Sequence, residues 1–165
     1  VRVFTTKDEM KLGIDELITA TQKGYFTRWE ARNSLVDIWN MENQGGRSEA
    51  LLQESIAEFP ENLYSWWSFA KVYMTQKKYT EALSALDFLE GRFKRSKWTG
   101  DLAWVECWVW KADCWGHLGE KAKTKEYLEK AQRHPNAKIK AVPRYQELMR
   151  DVKNIYSWAR VPMTD

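Results

Sequence analysis

Four residues able to ligate a metal or attack a carbonyl crowd one short stretch: Cys107, Asp113, Cys114 and His117. On a helix, Asp113 and His117 stand at i,i+4 and Cys114 and His117 at i,i+3, so each pair is adjacent. A thiol, a carboxylate and an imidazole on neighbouring turns are the residue types of a zinc site or of a Cys–His nucleophile. A structural zinc site needs four ligands in closed geometry, and the CxxC and HxxxH spacings that supply them are missing. A nucleophilic pair needs an exposed thiolate, an orienting third group and an oxyanion hole, and the sequence supplies no third group or hole. Buried cysteines among tryptophans are the expectation instead, with no catalytic residue, metal or cofactor. Cys107 and Cys114 lie seven residues apart, roughly 10 Å along a helix, too far for a disulfide. Two free thiols favour a reducing, cytoplasmic compartment, although a removed signal peptide would leave no trace.

Other chemistry fades in the same way. Gly45-Gly46 lacks the following Lys-Ser/Thr of a phosphate loop. The acid pairs Asp8/Glu9 and Asp15/Glu16 stand at helix starts and exposed turns, where capping and solvation account for them. The formal net charge of the 165 residues is +3, but it is uneven: residues 1–62 sum to −4 and residues 121–160 to +7. The basic end interleaves Lys121, Lys123, Lys125, Lys130 and Arg133 with Tyr127, and Lys138, Lys140, Arg144, Arg150 and Lys153 with Tyr145 and Tyr156. Basic and aromatic residues together hold single strands of nucleic acid. Dilution by acids and spread over two helices argue against a dedicated binder, and an anionic protein or lipid surface is the related alternative.

The elements that must carry these residues are helical throughout, with no strand pattern of any length. Met10, Ile14, Leu17 and Ile18 recur at helical spacing after a start at Thr5 or Thr6, and Gly24 closes that helix. A second helix spans about Thr27–Met41 with Ala31, Leu35, Ile38 and Trp39 as its stripe. Asn43-Gln44-Gly45-Gly46 is read as the following turn. Ala50, Leu51, Leu52, Ile56 and Phe59 form a third helix, stopped by Pro60. Leu63–Gln76 and Thr80–Lys94 follow. Lys97-Trp98-Thr99-Gly100-Asp101 connects them onward, with Asp101 as a cap. Leu102–Leu118 and Glu120–Arg133 make another pair, closed by Pro135, and 138–158 is a basic amphipathic helix. Ten tryptophans predict a core dense in indole. No apolar stretch approaches a membrane span.

The pairs repeat. Trp66, Phe69, Ala70 and Tyr73, then Ala82, Leu86 and Leu89, order large and small residues as the tetratricopeptide repeat family does, with Leu89 in place of the usual small residue. Leu35, Val36, Trp39 and Ala50 form a looser copy whose turn reads two residues longer. Trp108, Ala112, Trp115, Gly119, Leu128 and Ala131 form another, with Thr124 where Ala is usual. Over residues 25–135 the chain therefore resembles that family. The resemblance implies an all-α fold, a short right-handed α-solenoid. Its repeats would span 25–60, 63–96 and 102–135, with a capping helix at 138–158, in a single domain. The first helix would close the other end or belong to a repeat cut from a longer chain, since the sequence begins at Val1 without Met.

The family resemblance also implies a ligand groove lined by the first helix of each pair. The matching positions are Glu30, Asn33, Asp37, Tyr64, Trp67, Lys71, Met74, Glu106, Val109, Asp113 and His117. Adjacent Trp66 and Trp67 point about 100° apart, so one fills the core and the other is a candidate anchor for a peptide. Chaperone-tail binders of the family use a basic clamp, whereas the matching positions here are Asn33, Asp37, Ser68, Glu106 and Trp110. That mix argues against terminal-carboxylate recognition and for a basic or apolar peptide. The implied function is non-catalytic binding of a protein or peptide partner, centred on Tyr64, Trp67, Lys71 and Met74 with Asn33, Asp37, Asp113 and His117 around them. A structural repeat segment of a larger protein is the other class.

Overall fold

A computed structural model describes residues 7–24, 27–96, 100–133 and 137–162. Among them every regular element is helical. The order is α1 (Lys7–Lys23), α2 (Arg28–Met41), α3 (Gly45–Glu58), α4 (Leu63–Thr75), α5 (Tyr79–Arg95), α6 (Asp101–His117), α7 (Lys121–Gln132) and α8 (Pro143–Trp158). A 3-10 turn at Ala137–Ala141 precedes α8. No described helix is long and apolar enough to cross a membrane. The expected start at Thr5 or Thr6, the connector residues Lys97-Trp98-Thr99 and the stop at Pro135 lie outside the described residues. The chain divides into two compact units, Val1–Ser68 and Phe69–Asp165. In the first, α1 packs on α2 and α2 on α3. In the second, α5 packs on α6, and α6, α7 and α8 pack on one another.

One turn is used over and over. Asn43, Lys77 and Gly119 each adopt a left-handed backbone, with φ of 58°, 60° and 79°. At each, the next residue donates its N–H five residues back: Gln44 to Trp39, Lys78 to Tyr73 and Glu120 to Trp115, at 2.7, 2.9 and 2.9 Å. The left-handed residue itself donates three back, to Asn40, Met74 and Gly116. This double closure is the Schellman cap, which satisfies carbonyls left over at a helix end. The residue after the left-handed one then serves as N-cap of the next helix, so α3, α5 and α7 start at once. A fourth such cap, at Arg160, ends α8.

Counting from that turn aligns three helix pairs. The fifth residue after it is Ser48, Ala82 or Thr124, and all three are fully buried. Four and seven residues further on come Leu52 and Ser55, Leu86 and Leu89, and Leu128 and Ala131, again all buried. Seven residues before the turn stand Val36, Ala70 and Ala112, at 4%, 0% and 0% exposure. Small side chains here let the paired helix axes approach, and the leucines fill the space beside them, each worth about 1.5–3 kcal/mol of burial. Where the approach is polar it is bonded: Ser48 Oγ donates to the Val36 carbonyl at 3.1 Å.

This alignment revises the first copy. The turn after α2 is no longer than the others, because Gly45 and Gly46 open α3 instead of forming a loop. Ser48, not Ala50, is the buried small residue, and Ala50 faces solvent. Three further expectations change. The helix drawn over 138–158 is a 3-10 turn followed by α8 from Pro143. Pro143 at the first helical position has no N–H to give, and it pushes Val142 to an extended ψ of 129°. Gly100, not Asp101, is the N-cap of α6, and Asp101 sits in its first turn, where the helix dipole favours an acid. Finally, indoles rim the core instead of filling it. Trp39 is buried, but Trp29, Trp66, Trp67, Trp104, Trp108, Trp110 and Trp115 are half-buried and Trp158 is exposed. An indole carries an N–H that seeks a partner or water, which aliphatic neighbours deep in a core do not offer. The core of the second unit is mainly aliphatic, built from Val105, Val109, Ala112, Leu128, Leu148, Val152 and Ile155, with Tyr145 and Tyr156 as its aromatic members and no fully buried indole among them.

Candidate functional site

In the second unit a surface that mixes carboxylates, an amide and indoles lies where α6 faces α8. Along α6, Val109, Trp110 and Asp113 fall at i, i+1 and i+4. Along α8, Asp151, Asn154, Ile155 and Trp158 fall at i, i+3, i+4 and i+7, a single stripe. These seven residues, with Met74 of α4, line an open pocket of about 230 Å3. Val109 and Ile155 are buried and belong to the core beneath it. The polar groups are two carboxylates, from Asp113 and Asp151, and the Asn154 amide. The walls are indoles, Trp110 half-buried and Trp158 at 42% exposure.

Trp158 is held in place although it is exposed. Its ring stacks on His117 with centroids 4.4 Å apart and planes at 27°, and His117 stacks in turn on Tyr79 at 4.4 Å and 7°. The three rings span α5, α6 and α8. Gly116 makes the stack possible: a Cβ there would come within 2.7 Å of Trp158 Cη2. His117 also faces Asp113, with Nε2 to Oδ1 at 3.9 Å, so it reaches the pocket through that carboxylate.

Electrostatics mark Asp113. Burial pushes its carboxyl above the ordinary range, His117 opposes that, and the neighbouring Asp151 adds to it. Tyr79 is raised by burial, then by Asp113 and Cys114. Both thiols are inaccessible. Burial takes Cys107 and Cys114 to about 12, so neither is a thiolate at neutral pH. Cys107 Sγ instead contacts the Leu86 carbonyl at 3.6 Å. Among the described residues no three His, Cys, Asp or Glu side chains converge on a point that could hold a metal ion.

The eight residues singled out from sequence separate accordingly. Met74 and Asp113 line the pocket, His117 adjoins it, and Lys71 is an exposed residue of the same unit. Asn33, Asp37, Tyr64 and Trp67 belong to the first unit, where Tyr64 is 49% exposed and the other three are half-buried. Sequence reasoning missed Asp151, Asn154 and Trp158. Their i, i+3, i+7 spacing on the polar side of an amphipathic helix was the available signal. The first unit has its own pocket, about 450 Å3, lined by Trp29, Glu58, Phe59, Pro60, Glu61 and Asn62. Trp29 and Phe59 meet edge to face at 4.8 Å. Arg28 and Arg32 both pair with Glu58 there.

The basic end is engaged in part. Lys125 and Arg133 pair with Glu129, Lys130 with Glu126, and Arg144 with Glu106 and Glu147. Lys123 lies over the Trp115 ring at 3.8 Å. Comparison with protein families, curated proteins and solved structures finds no match to this chain.

Proposed function

We propose that this chain is a non-catalytic interaction module of the tetratricopeptide kind, whose second unit takes a segment of a peptide or partner protein at the α6–α8 pocket. One observation carries the reading. An exposed indole is fixed by a ring stack at the mouth of a pocket that also holds two carboxylates and an amide, the combination of apolar anchor and directing polar groups expected of a binding site. The recurring Schellman turn and the matched burial of three helix pairs support the repeat assignment. Pairing of Lys125, Lys130, Arg133 and Arg144 with glutamates reduces the charge ready to meet phosphates, which weakens the nucleic-acid alternative even though residues 121–160 keep a net +7.

The reading predicts that peptides selected on the full chain from a random library bind through this pocket. Trp158→Ala is expected to weaken the selected peptides by about tenfold or more, the usual effect of losing an aromatic anchor. Trp158 is exposed on one side but stacked on His117 and packed over Gly116 on the other. Its truncation should therefore lower the melting temperature modestly while leaving the chain folded, and the binding change is read on the folded variant. Selected peptides that bind Trp158→Ala undiminished, or a selection that yields no binder, would count against the reading.

A further inference from the structure

Resting on that reading, we propose that the α6–α8 pocket is a receptor for one arginine side chain of the partner peptide. Its guanidinium lies against Trp110 and Trp158 and donates to Asp113 and Asp151. The pocket has the size of a side-chain head group: about 230 Å3, below the roughly 300–1,000 Å3 of sites that enclose a whole small ligand. Its wall chemistry is specific. Indole faces attract cations, and carboxylates accept charge-assisted hydrogen bonds.

The negative charge of the pocket is matched only weakly among the described residues, by His117. Among the described residues no basic side chain makes an ion pair with Asp151, and Asp113 has only the 3.9 Å approach of His117. Burial is the main cause of the raised Asp113 carboxyl and His117 opposes it, while Asp151 adds a smaller push of like charge, which places the two acids near each other. The first-unit pocket is the counterexample: there, Glu58 already holds two arginines of its own chain.

Guanidinium fits better than ammonium for two reasons. It is planar and weakly hydrated, so it stacks on indole while keeping its edge donors free. It also presents several donors in a fork, and the acceptors here come from two helices, Asp113 on one and Asp151 and Asn154 on the other. A lysine ammonium is a compact, strongly hydrated charge that gains less from a flat wall. The Tyr79–His117–Trp158 stack holds one wall ready before the ligand arrives, which lowers the ordering cost of binding.

The test is a titration of the full chain with blocked tripeptides, N-acetyl-Gly-Xaa-Gly-amide with Xaa arginine, lysine or citrulline, followed by tryptophan fluorescence and by amide shifts. The arginine peptide is expected to bind at millimolar levels and to shift resonances of α6 and α8. Citrulline, which keeps the shape and loses the charge, should bind about tenfold more weakly, as loss of a charge-assisted bond implies. Lysine should fall between them. Asp151→Asn, at an exposed position, should weaken the arginine peptide several-fold with the melting temperature unchanged. Equal binding of citrulline and arginine would overturn the assignment, as would equal binding of lysine, or no response to arginine. If library-selected peptides lack arginine yet still depend on Trp158, the arginine assignment falls and the interaction reading stands. If no selected peptide depends on Trp158, the interaction reading falls with it.

Discussion

The α2/α3 hairpin of the first unit and the α6/α7 hairpin of the second share a turn, a register and a set of buried small residues, yet they differ in what they do with one position. Eight residues before the turn stands Leu35 in the first and Lys111 in the other, each about 1% exposed. Leu35 is an ordinary core residue. Lys111 carries a charge into the same place and is met by Glu90 and, at 2.6 Å, by Asp87, both on α5. Its ammonium also lies 5.1 Å from the centre of the Tyr127 ring on α7. The lesson is that the hairpin frame is specified by its turn and its small residues. The remaining helix positions are free to diversify, even to a buried cation, provided partners come with it.

The largest effect should come from breaking that arrangement. Lys111→Ala leaves Glu90 half-buried without its main partner, so a loss of about 3–5 kcal/mol is expected, read by urea denaturation. The double variant Lys111→Leu with Glu90→Leu restores the apolar solution of Leu35 and should recover most of the loss, since a buried ion pair is often matched by apolar residues of similar volume. A double variant as unstable as Lys111→Ala would show that the two hairpins are not equivalent at this position. The pH dependence follows from the same pair. Burial favours protonation of Glu90, but Lys111 and Lys94 outweigh it and hold its pKa below 4.5. Its contribution is therefore present above the unfolded value and lost as pH falls through the lower folded one. Lys111 resists burial through its bonds to Asp87 and Glu90 and is raised above 10.5. Its contribution is full below the unfolded value and lost only as pH rises through the higher folded one. The wild type should thus lose more stability than Lys111→Ala on acidification below pH 4.5.

How much of this could be read from the sequence depended on whether the cause was local. Helix periodicity and the stopping power of Pro60 and Gly119 are local, and α2, α4, α5, α6 and α7 fall within a residue or two of expectation. The first hairpin was misaligned because Gly45-Gly46 looks like a turn by composition, while the turn itself is made by Asn43, a residue whose left-handed backbone no periodicity reveals. Pro143 was a legible stop that helix periodicity on both sides concealed. The pocket was half legible. Met74, Val109 and Asp113, with His117 beside them, were reached through the resemblance. Asp151, Asn154 and Trp158 lie on α8, outside the repeats, and only its packing on α6 brings them there.

A smaller effect tests whether the recurring turn is what equates the hairpins. All three turns require a left-handed residue, but only the third provides glycine, the residue that adopts it without strain. Exchanging residues should therefore change the sign of the response. Lys77→Gly and Asn43→Gly relieve a side chain held at φ near 60° and should each stabilise by about 0.5–1 kcal/mol, less for Asn43 because asparagine tolerates this region. Gly119→Ala, at φ 79° with open space around its Cα, should cost about 1 kcal/mol from backbone strain alone. Because nothing crowds a Cβ at Gly119, the loss cannot be assigned to a clash, and thermal melts of the three variants read the backbone term directly. If Gly119→Ala were neutral while Lys77→Gly destabilised, the turns would owe their shape to the flanking helices and not to the residue at the cap. The register built on them would then need another anchor, such as the buried Ser48, Ala82 and Thr124.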